Sequence, residues 1–247
     1  MKYRRTTFAE IKHLLPADCW AAWRNELHQG EFDQEPVGVF EQDTELASLN
    51  LDFDPANSDY LFLLLVKGNL TVKSFIYNEE TDGATGLVVL GNLHARTVLV
   101  GGQEIYVTGN LTVEELFWGD YNHGSLRVLG TATATVFAET DQYSVAIEQA
   151  TRFGTHLTPY GEDGRWRGLD AGLVAQVLVA ELVNTNADGE THLVRGGAVL
   201  QLLQARQSLL RHPAGSGYPG VSHAHGVLMD ELGLTTGEVK MLRKRVG

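Results

Sequence analysis

The sequence predicts a mainly β protein: a short parallel β-solenoid capped by N- and C-terminal α-helices. Three observations predict it. Four segments share one template, reading Leu65-Val-Lys-Gly-Asn-Leu-Thr-Val, Leu87-Val-Val-Leu-Gly-Asn-Leu-His-Ala, Ile105-Tyr-Val-Thr-Gly-Asn-Leu-Thr-Val and Leu126-Arg-Val-Leu-Gly-Thr-Ala-Thr-Ala. Their glycines, Gly68, Gly91, Gly109 and Gly130, recur at intervals of 23, 18 and 21 residues, a spacing that belongs to stacked repeats. Apolar residues fall two apart on both sides of each glycine (Val66, Leu70, Val72; Val89, Leu93, Ala95; Val107, Leu111, Val113; Val128, Ala132, Ala134), which is strand periodicity with one face inward and one toward water.

Each part of the template has a physical reason. A sharp bend between two short strands needs a residue without Cβ at the crowded corner. Asparagine follows the glycine in three units, and its short amide tolerates left-handed backbone angles and bonds neighbouring backbone groups. A coil of about 20 residues can then stack its hydrogen bonds and its Leu/Val ladder on the next coil. A leucine-rich repeat has a similar period but wants a longer Leu-x-x-Leu-x-Leu ladder with a helical return, which these units lack. An antiparallel sandwich with glycine-rich turns is the plainer alternative. The expected organisation is a helical cap and acidic segment over 1–56, the solenoid over 57–150 and a helical region over 151–247.

This Gly-Asn-Leu ladder, over about residues 60–145, resembles the β-helix of bactofilin-like, polymer-forming proteins. The resemblance implies a right-handed parallel β-helix and, as one function, self-assembly into a scaffold. Bactofilins resemble many regular coils with disordered tails, whereas this chain has four recognisable coils of varying length between substantial non-repeat segments. The hexapeptide repeat of left-handed β-helix acyltransferases is absent, so no acyl-transfer chemistry is implied.

The N-terminal segment predicts a helix over about 8–15 and, after Pro16, a second one through about Leu27. Trp20, Trp23 and Leu27 fall three and four apart as an apolar stripe, expected to close the exposed end of the first coil; stacking on a cofactor is the rarer use of such tryptophans. From Asn25 to Val66 there is no Lys or Arg but ten acids: Glu26, Glu31, Asp33, Glu35, Glu41, Asp43, Glu45, Asp52, Asp54 and Asp59. Such a run is either a solvated loop or a docking surface for a basic partner. Asp52-Phe-Asp54 lacks the spacing and glycine of an EF-hand calcium loop.

Beyond the repeat, residues 150–168 read as a polar, Gly-rich loop with Tyr160 and Trp166. Helices are expected over about 169–183 and 194–211, with His212-Pro213 ending the second. Residues 213–222 read as a loop. Val227 to Leu232, Gly233 and the capping box Thr235-Thr-Gly-Glu238 form a helix-turn-helix-like string carrying Lys240, Arg243, Lys244 and Arg245. A two-helix hairpin is the commoner use of that pattern, and the chain's net charge of −12 opposes attraction to nucleic acid.

No catalytic motif is present. His223-Ala-His225 is the closest histidine pair and the weak candidate for metal, without His-Glu-x-x-His or a cysteine pair beside it. The single cysteine, Cys19, permits no intramolecular disulfide and reads as a buried small hydrophobe. Gly101-Gly102 lacks the Lys-Ser/Thr of a phosphate loop. Outward positions of the coils carry no cluster of the kind carbohydrate-active β-helices use. Residues 114–123 are expected to project as a solenoid turn bearing Glu114, Glu115, Trp118, Asp120, Tyr121 and His123, where acidic and aromatic groups suit a basic protein surface.

The expected function is therefore non-enzymatic: an interaction module that binds a basic protein through Glu41, Asp43, Glu45, Glu114, Glu115, Trp118, Asp120 and Tyr121. An immunity-type inhibitor of a bacterial toxin is one concrete form. The alternatives are a self-assembling bactofilin-like scaffold and, below that, a carbohydrate-active β-helix. No cofactor is expected. There is no apolar run of about 20 residues to span a bilayer, and the basic start, Met1-Lys2-Tyr3-Arg4-Arg5, leads into an amphipathic stretch rather than a signal-peptide core. A soluble, cytoplasmic protein is expected.

Overall fold

The alternation on either side of each Gly-Asn step becomes a pair of strands, one in each of two facing parallel sheets. The computed structural model describes residues 2–52, 60–81 and 84–211, all within one compact unit, Met1–Arg211. The described part begins with β1 (Arg4–Thr7), α1 (Phe8–Ile11) and α2 (Trp20–Leu27). Strand pairs then alternate between the sheets: β2 (Pro36–Phe40) with β3 (Thr44–Leu46) and the short β4 (Leu49–Asn50), then β5 (Leu63–Val66) with β6 (Leu70–Tyr77). Next come β7 (Gly86–Val89) with β8 (Leu93–Gly101), and β9 (Glu104–Val107) with β10 (Leu111–Asp120). The series ends with β11 (Ser125–Val128) and β12 (Ala132–Glu139), then β13 (Ser144–Ile147) and β14 (Thr151–Leu157).

The first sheet has the order β1-β2-β5-β7-β9-β11-β13, and the second β14-β12-β10-β8-β6-β3. All pairings in both are parallel except β1 with β2. This is a β-solenoid whose four template units stand in register, with Leu70, Leu93, Leu111 and Ala132 stacked in one row. A strand pair is added at each end of the recognisable repeat. All twelve residues assigned inward by parity belong to the central apolar cluster. Phe117, Phe137 and Phe153 extend the stacking as an aromatic ladder, with ring centroids 4.8 and 4.1 Å apart.

Helical flanks are present on both sides of the repeat, and they lie on the outer faces of the sheets. Phe8, Ile11, Leu15, Cys19 and Ala21 pack with Val37, Val39, Leu63, Leu65, Val88 and Tyr106 on the outside of the first sheet. The first coil is instead closed along its sheet edge by β1, and Trp20, Trp23 and Leu27 stay 44, 54 and 58% exposed. The expected stripe is thus the solvent side of α2. Its packing face is the one that carries Cys19 and Ala21.

The C-terminal region covers the second sheet, where Phe75, Tyr77, Leu99, Leu116, Trp118, Val136 and Ala138 pack against Val174, Leu178, Leu182, Val199 and Leu203. Its helices are shorter than the sequence suggests: α3 is Ala171–Val177 and α4 is Gly197–Gln204. A 3-10 turn at Ala180–Leu182 and a hairpin of β15 (Val183–Thr185) with β16 (Thr191–Leu193) separate them. The apolar run after Leu178 therefore serves a turn and a strand rather than a continued helix. The helix-turn-helix-like string, residues 213–222, His223 and His225 lie outside the described residues.

Candidate functional site

The sequence-derived candidates divide among three places on the solenoid. Glu41 and Asp43 sit at the glycine corner, where the chain passes from the first sheet to the second. There Asn92 N–H and Nδ2 both donate to Asn69 Oδ1 at 2.9 Å, Asn110 N–H to Asn92 Oδ1 at 2.8 Å, and Thr131 N–H to Asn110 Oδ1 at 2.8 Å. Asp43 heads this ladder, accepting from Asn69 N–H at 2.8 Å and Nδ2 at 3.1 Å. The Asn69 backbone bond holds its carboxyl below the usual range. Glu41 pairs with Lys67 at 2.7 Å and Arg4 at 2.9 Å, which lower its pKa likewise, Lys67 first. The glycines belong to the same device, because a Cβ on Gly109 would lie 2.7 Å from the Gly91 carbonyl oxygen.

On the outer face of the second sheet, Glu45 pairs with Lys73 at 2.5 Å, Glu114 with His94 at 3.0 Å and Glu115 with Arg96 at 2.9 Å. Two acids of the Lys/Arg-free interval, Glu41 and Glu45, thus find lysines on the neighbouring coil, which a linear reading of charge does not reveal. Residues 114–120 are not a projecting turn: they continue β10, with a register shift between Val113 and Leu116 against β12. Trp118 is fully buried. Its Nε1 donates to Thr140 Oγ1 at 2.7 Å, and the Arg195 guanidinium lies 4.8 Å from its ring centroid. Trp118 is a core residue of this chain, and the alternation Leu116-Phe117-Trp118 of a strand buried on both faces is the signal that marks it.

Asp120 and Tyr121 belong to the third place, the corner where the second sheet returns to the first. Its turns carry Asp52, Glu79, Glu80, Asp120 and Asp141, and they contain no Lys or Arg. Glu79, Glu80 and Asp141 are exposed; Asp52 Oδ1 accepts from Glu79 N–H at 2.7 Å and Glu80 N–H at 2.9 Å. Tyr121 (φ 83°), Asp141 (46°) and Gln142 (60°) hold left-handed backbone here. Asp141 and Gln142 are the central residues of a turn closed by Tyr143 N–H on the Thr140 carbonyl at 3.1 Å. Asn-Gly is the favoured pair at such a turn, so Gln142 is held against its preference. Tyr121 stacks on His123 with centroids 5.3 Å apart.

Beside this corner the C-terminal region forms a cleft of about 260 Å³ whose lining includes Asp120, Thr140, Asp141, Trp166, Leu169 and His192. Asp120 Oδ1 accepts from Thr140 Oγ1 at 2.5 Å, and its Oδ2 lies 3.6 Å from Arg195 Nη2. Trp166 is 54% exposed. No protein-family model, curated protein or solved structure matches the chain. The cleft is therefore described by its own chemistry: an aromatic wall, two carboxylates and no lysine or arginine in the lining. Sequence reasoning noticed Trp166 but not the cleft. A loop residue meets the end of a strand there through tertiary packing alone.

Among the described residues, no group of three His, Cys, Asp or Glu side chains is arranged to hold a metal ion. No helix among them is long and apolar enough to cross a membrane. Cys19 is buried as expected and donates its Sγ–H to Glu104 Oε2 at 3.0 Å, while Glu104 Oε1 accepts from Trp20 N–H at 2.8 Å. Burial, then the Glu104 charge, pushes the thiol pKa up, away from the thiolate needed for nucleophilic work.

Proposed function

We propose that the protein is an interaction module that binds a basic partner through the acidic corner between its sheets and the adjoining cleft. The observation that carries this is the corner itself, with Asp52, Glu79, Glu80, Asp120 and Asp141 on four of its turns, an uncharged turn at Gly102-Gln103 standing between them, and no lysine or arginine in any. Stacked coils hold these carboxylates on a rigid frame, so a cationic surface meets a preorganised field rather than a loose acidic tail. A net charge of −12 adds long-range steering in the same sense. Glu41, Glu45 and Glu115 are less suited, because each pairs with a lysine or arginine of the chain, and Glu114 pairs with the His94 ring. At the corner Asp120 faces Arg195 at 3.6 Å, while Glu79, Glu80 and Asp141 are exposed. An immunity-type inhibitor covering a basic toxin is one form of such a module.

The experiment is affinity capture from the native host, followed by association kinetics of the captured protein at low and high salt. The expected partner is basic, and its association slows about tenfold or more as salt rises from 20 to 500 mM, as screening shortens the field. Salt-insensitive association would overturn the proposal. Self-association, as in a bactofilin-like scaffold, is a second reading favoured by one observation: β13 and β14 end their sheets with no further strand paired to them among the described residues. At the other end β1 lies antiparallel on β2 and closes the first sheet to parallel extension. A scaffold would sediment as concentration-dependent polymers, whereas the interaction module stays small at every concentration.

A further inference from the structure

Resting on the basic-partner proposal, we infer that the cleft beside Asp120 takes the guanidinium of an arginine on the partner protein, stacked on the Trp166 indole and held by Asp120 and Asp141. The cleft's volume of about 260 Å³ falls below the roughly 300–1,000 Å³ of sites for drug-sized ligands, which suits the head of a single side chain. The cleft's two charged side chains are both carboxylates, beside the hydroxyls of Thr140 and Thr191 and the His192 ring. Thr140 is already engaged, accepting from Trp118 Nε1 and donating to Asp120 Oδ1. Asp120 Oδ2 is ion-paired with Arg195 Nη2 at 3.6 Å, too far for a hydrogen bond. With Asp141 exposed beside it, the charge that the cleft presents is that of two carboxylates, which only accept when ionised. A group that only donates is the complement, and guanidinium has five donors and no acceptor.

The aromatic wall narrows the class further. A planar cation stacks on an indole face and meets a carboxylate with paired N–H groups, which a compact ammonium does less well. The chain already builds this arrangement once from its own residues: Arg195 lies against the Trp118 ring with Asp120 at its side. Asp120 thus stands between an internal arginine on a buried indole and a cleft walled by an exposed one.

The test uses the full chain labelled with nitrogen-15, following the Trp166 indole N–H resonance (identified as the one lost in W166F) during titration with tetra-arginine, tetra-lysine and free arginine. Tetra-arginine is expected to shift that resonance and to bind about tenfold more tightly than tetra-lysine. W166A should weaken tetra-arginine at least tenfold and D141N several-fold, the asparagine keeping the left-handed turn, while E45Q leaves binding unchanged. Equal binding by wild type, W166A and D141N would overturn the cleft assignment, yet leave a basic partner free to bind elsewhere on the acidic corner. Free arginine binding as tightly as the peptide would overturn the partner protein as the source. Absence of any shift with tetra-arginine would also overturn the assignment, and the capture experiment would then decide the wider proposal separately.

Discussion

The Arg195 guanidinium lies 4.8 Å from the centroid of the Trp118 ring while donating to two backbone carbonyls of the solenoid, Asn78 at 3.1 Å and Val100 at 2.8 Å. One side chain of the C-terminal region, 8% exposed, thereby ties that region to the ends of two coils. Burial works against its charge and lowers its pKa, and Asp120 is the first group that opposes this.

Trp118→Ala should therefore destabilise the fold by about 3–5 kcal/mol, the range for a large buried aromatic. Arg195→Met should cost about 2–4 kcal/mol, by leaving carbonyls unpaired and Asp120 without its cation. Chemical denaturation of both single variants and the double variant measures the coupling. Additive losses would show that the two side chains act independently.

At the glycine corner, Gly109→Ala should lose about 3 kcal/mol, since its Cβ would stand 2.6 Å from Asn92 Oδ1 and 2.7 Å from the Gly91 oxygen, which belongs to a backbone that stacking holds in place. Asn92→Ala should lose about 1–3 kcal/mol by orphaning the Asn110 N–H. Gly197→Ala is the control: it starts α4, has nothing within 4 Å of an added Cβ, and should be neutral or gain up to about 1 kcal/mol. Thermal melts of the three variants check the ranking.

Glu104 and Asp43 should give opposite pH signatures. Burial raises the Glu104 pKa above its ordinary 4.5, so the folded state favours its protonated form. Its contribution is complete below about pH 4.5 and is lost as pH rises through the raised value. Glu104→Gln should flatten that slope in melting temperature between pH 4 and 7. The Asp43 pKa is lowered from 3.8, first by the Asn69 backbone bond. Its contribution is present above pH 3.8 and disappears as pH falls through the lower folded value, and Asp43→Asn should remove that acid-side loss.

How much of this was legible in the sequence depended on whether the signal was local. The Gly-Asn step and the alternation around it marked the strand pairs from β5 to β12 and all twelve inward residues. The outer pairs escaped because they lack the step: Gln42-Asp43 stands at the first corner and Gln149-Ala150 at the last. Asp43 nonetheless does the work of the asparagine, accepting from the next coil with its carboxylate. Ion pairs such as Glu45 with Lys73 were hidden because their partners lie one coil away in sequence. Trp118 was misplaced because a polar stretch, Glu114-Glu115, precedes it. The bulged β10 keeps both acids on His94 and Arg96 of β8 while carrying the strand on to Asp120.

Charge reversal should separate the surface acids by what they do. Glu45→Lys exchanges an exposed ion pair with Lys73 for repulsion and should change stability by less than about 1 kcal/mol. Asp43→Lys removes an acceptor from the asparagine ladder and should lower the melting temperature measurably more. Differential scanning calorimetry of the two variants checks this, and equal melting temperatures would show that the ladder's first rung is dispensable.

The most direct measurement of the central claim is the association rate of the captured partner with wild type and with the triple variant E79Q/E80Q/D141N at low salt. These three side chains are exposed at the acidic corner, and neutralising them leaves the buried core untouched. The account predicts association about tenfold slower for the variant at 20 mM salt, converging with wild type at 500 mM, with the melting temperature unchanged. Equal association rates at 20 mM salt would contradict it.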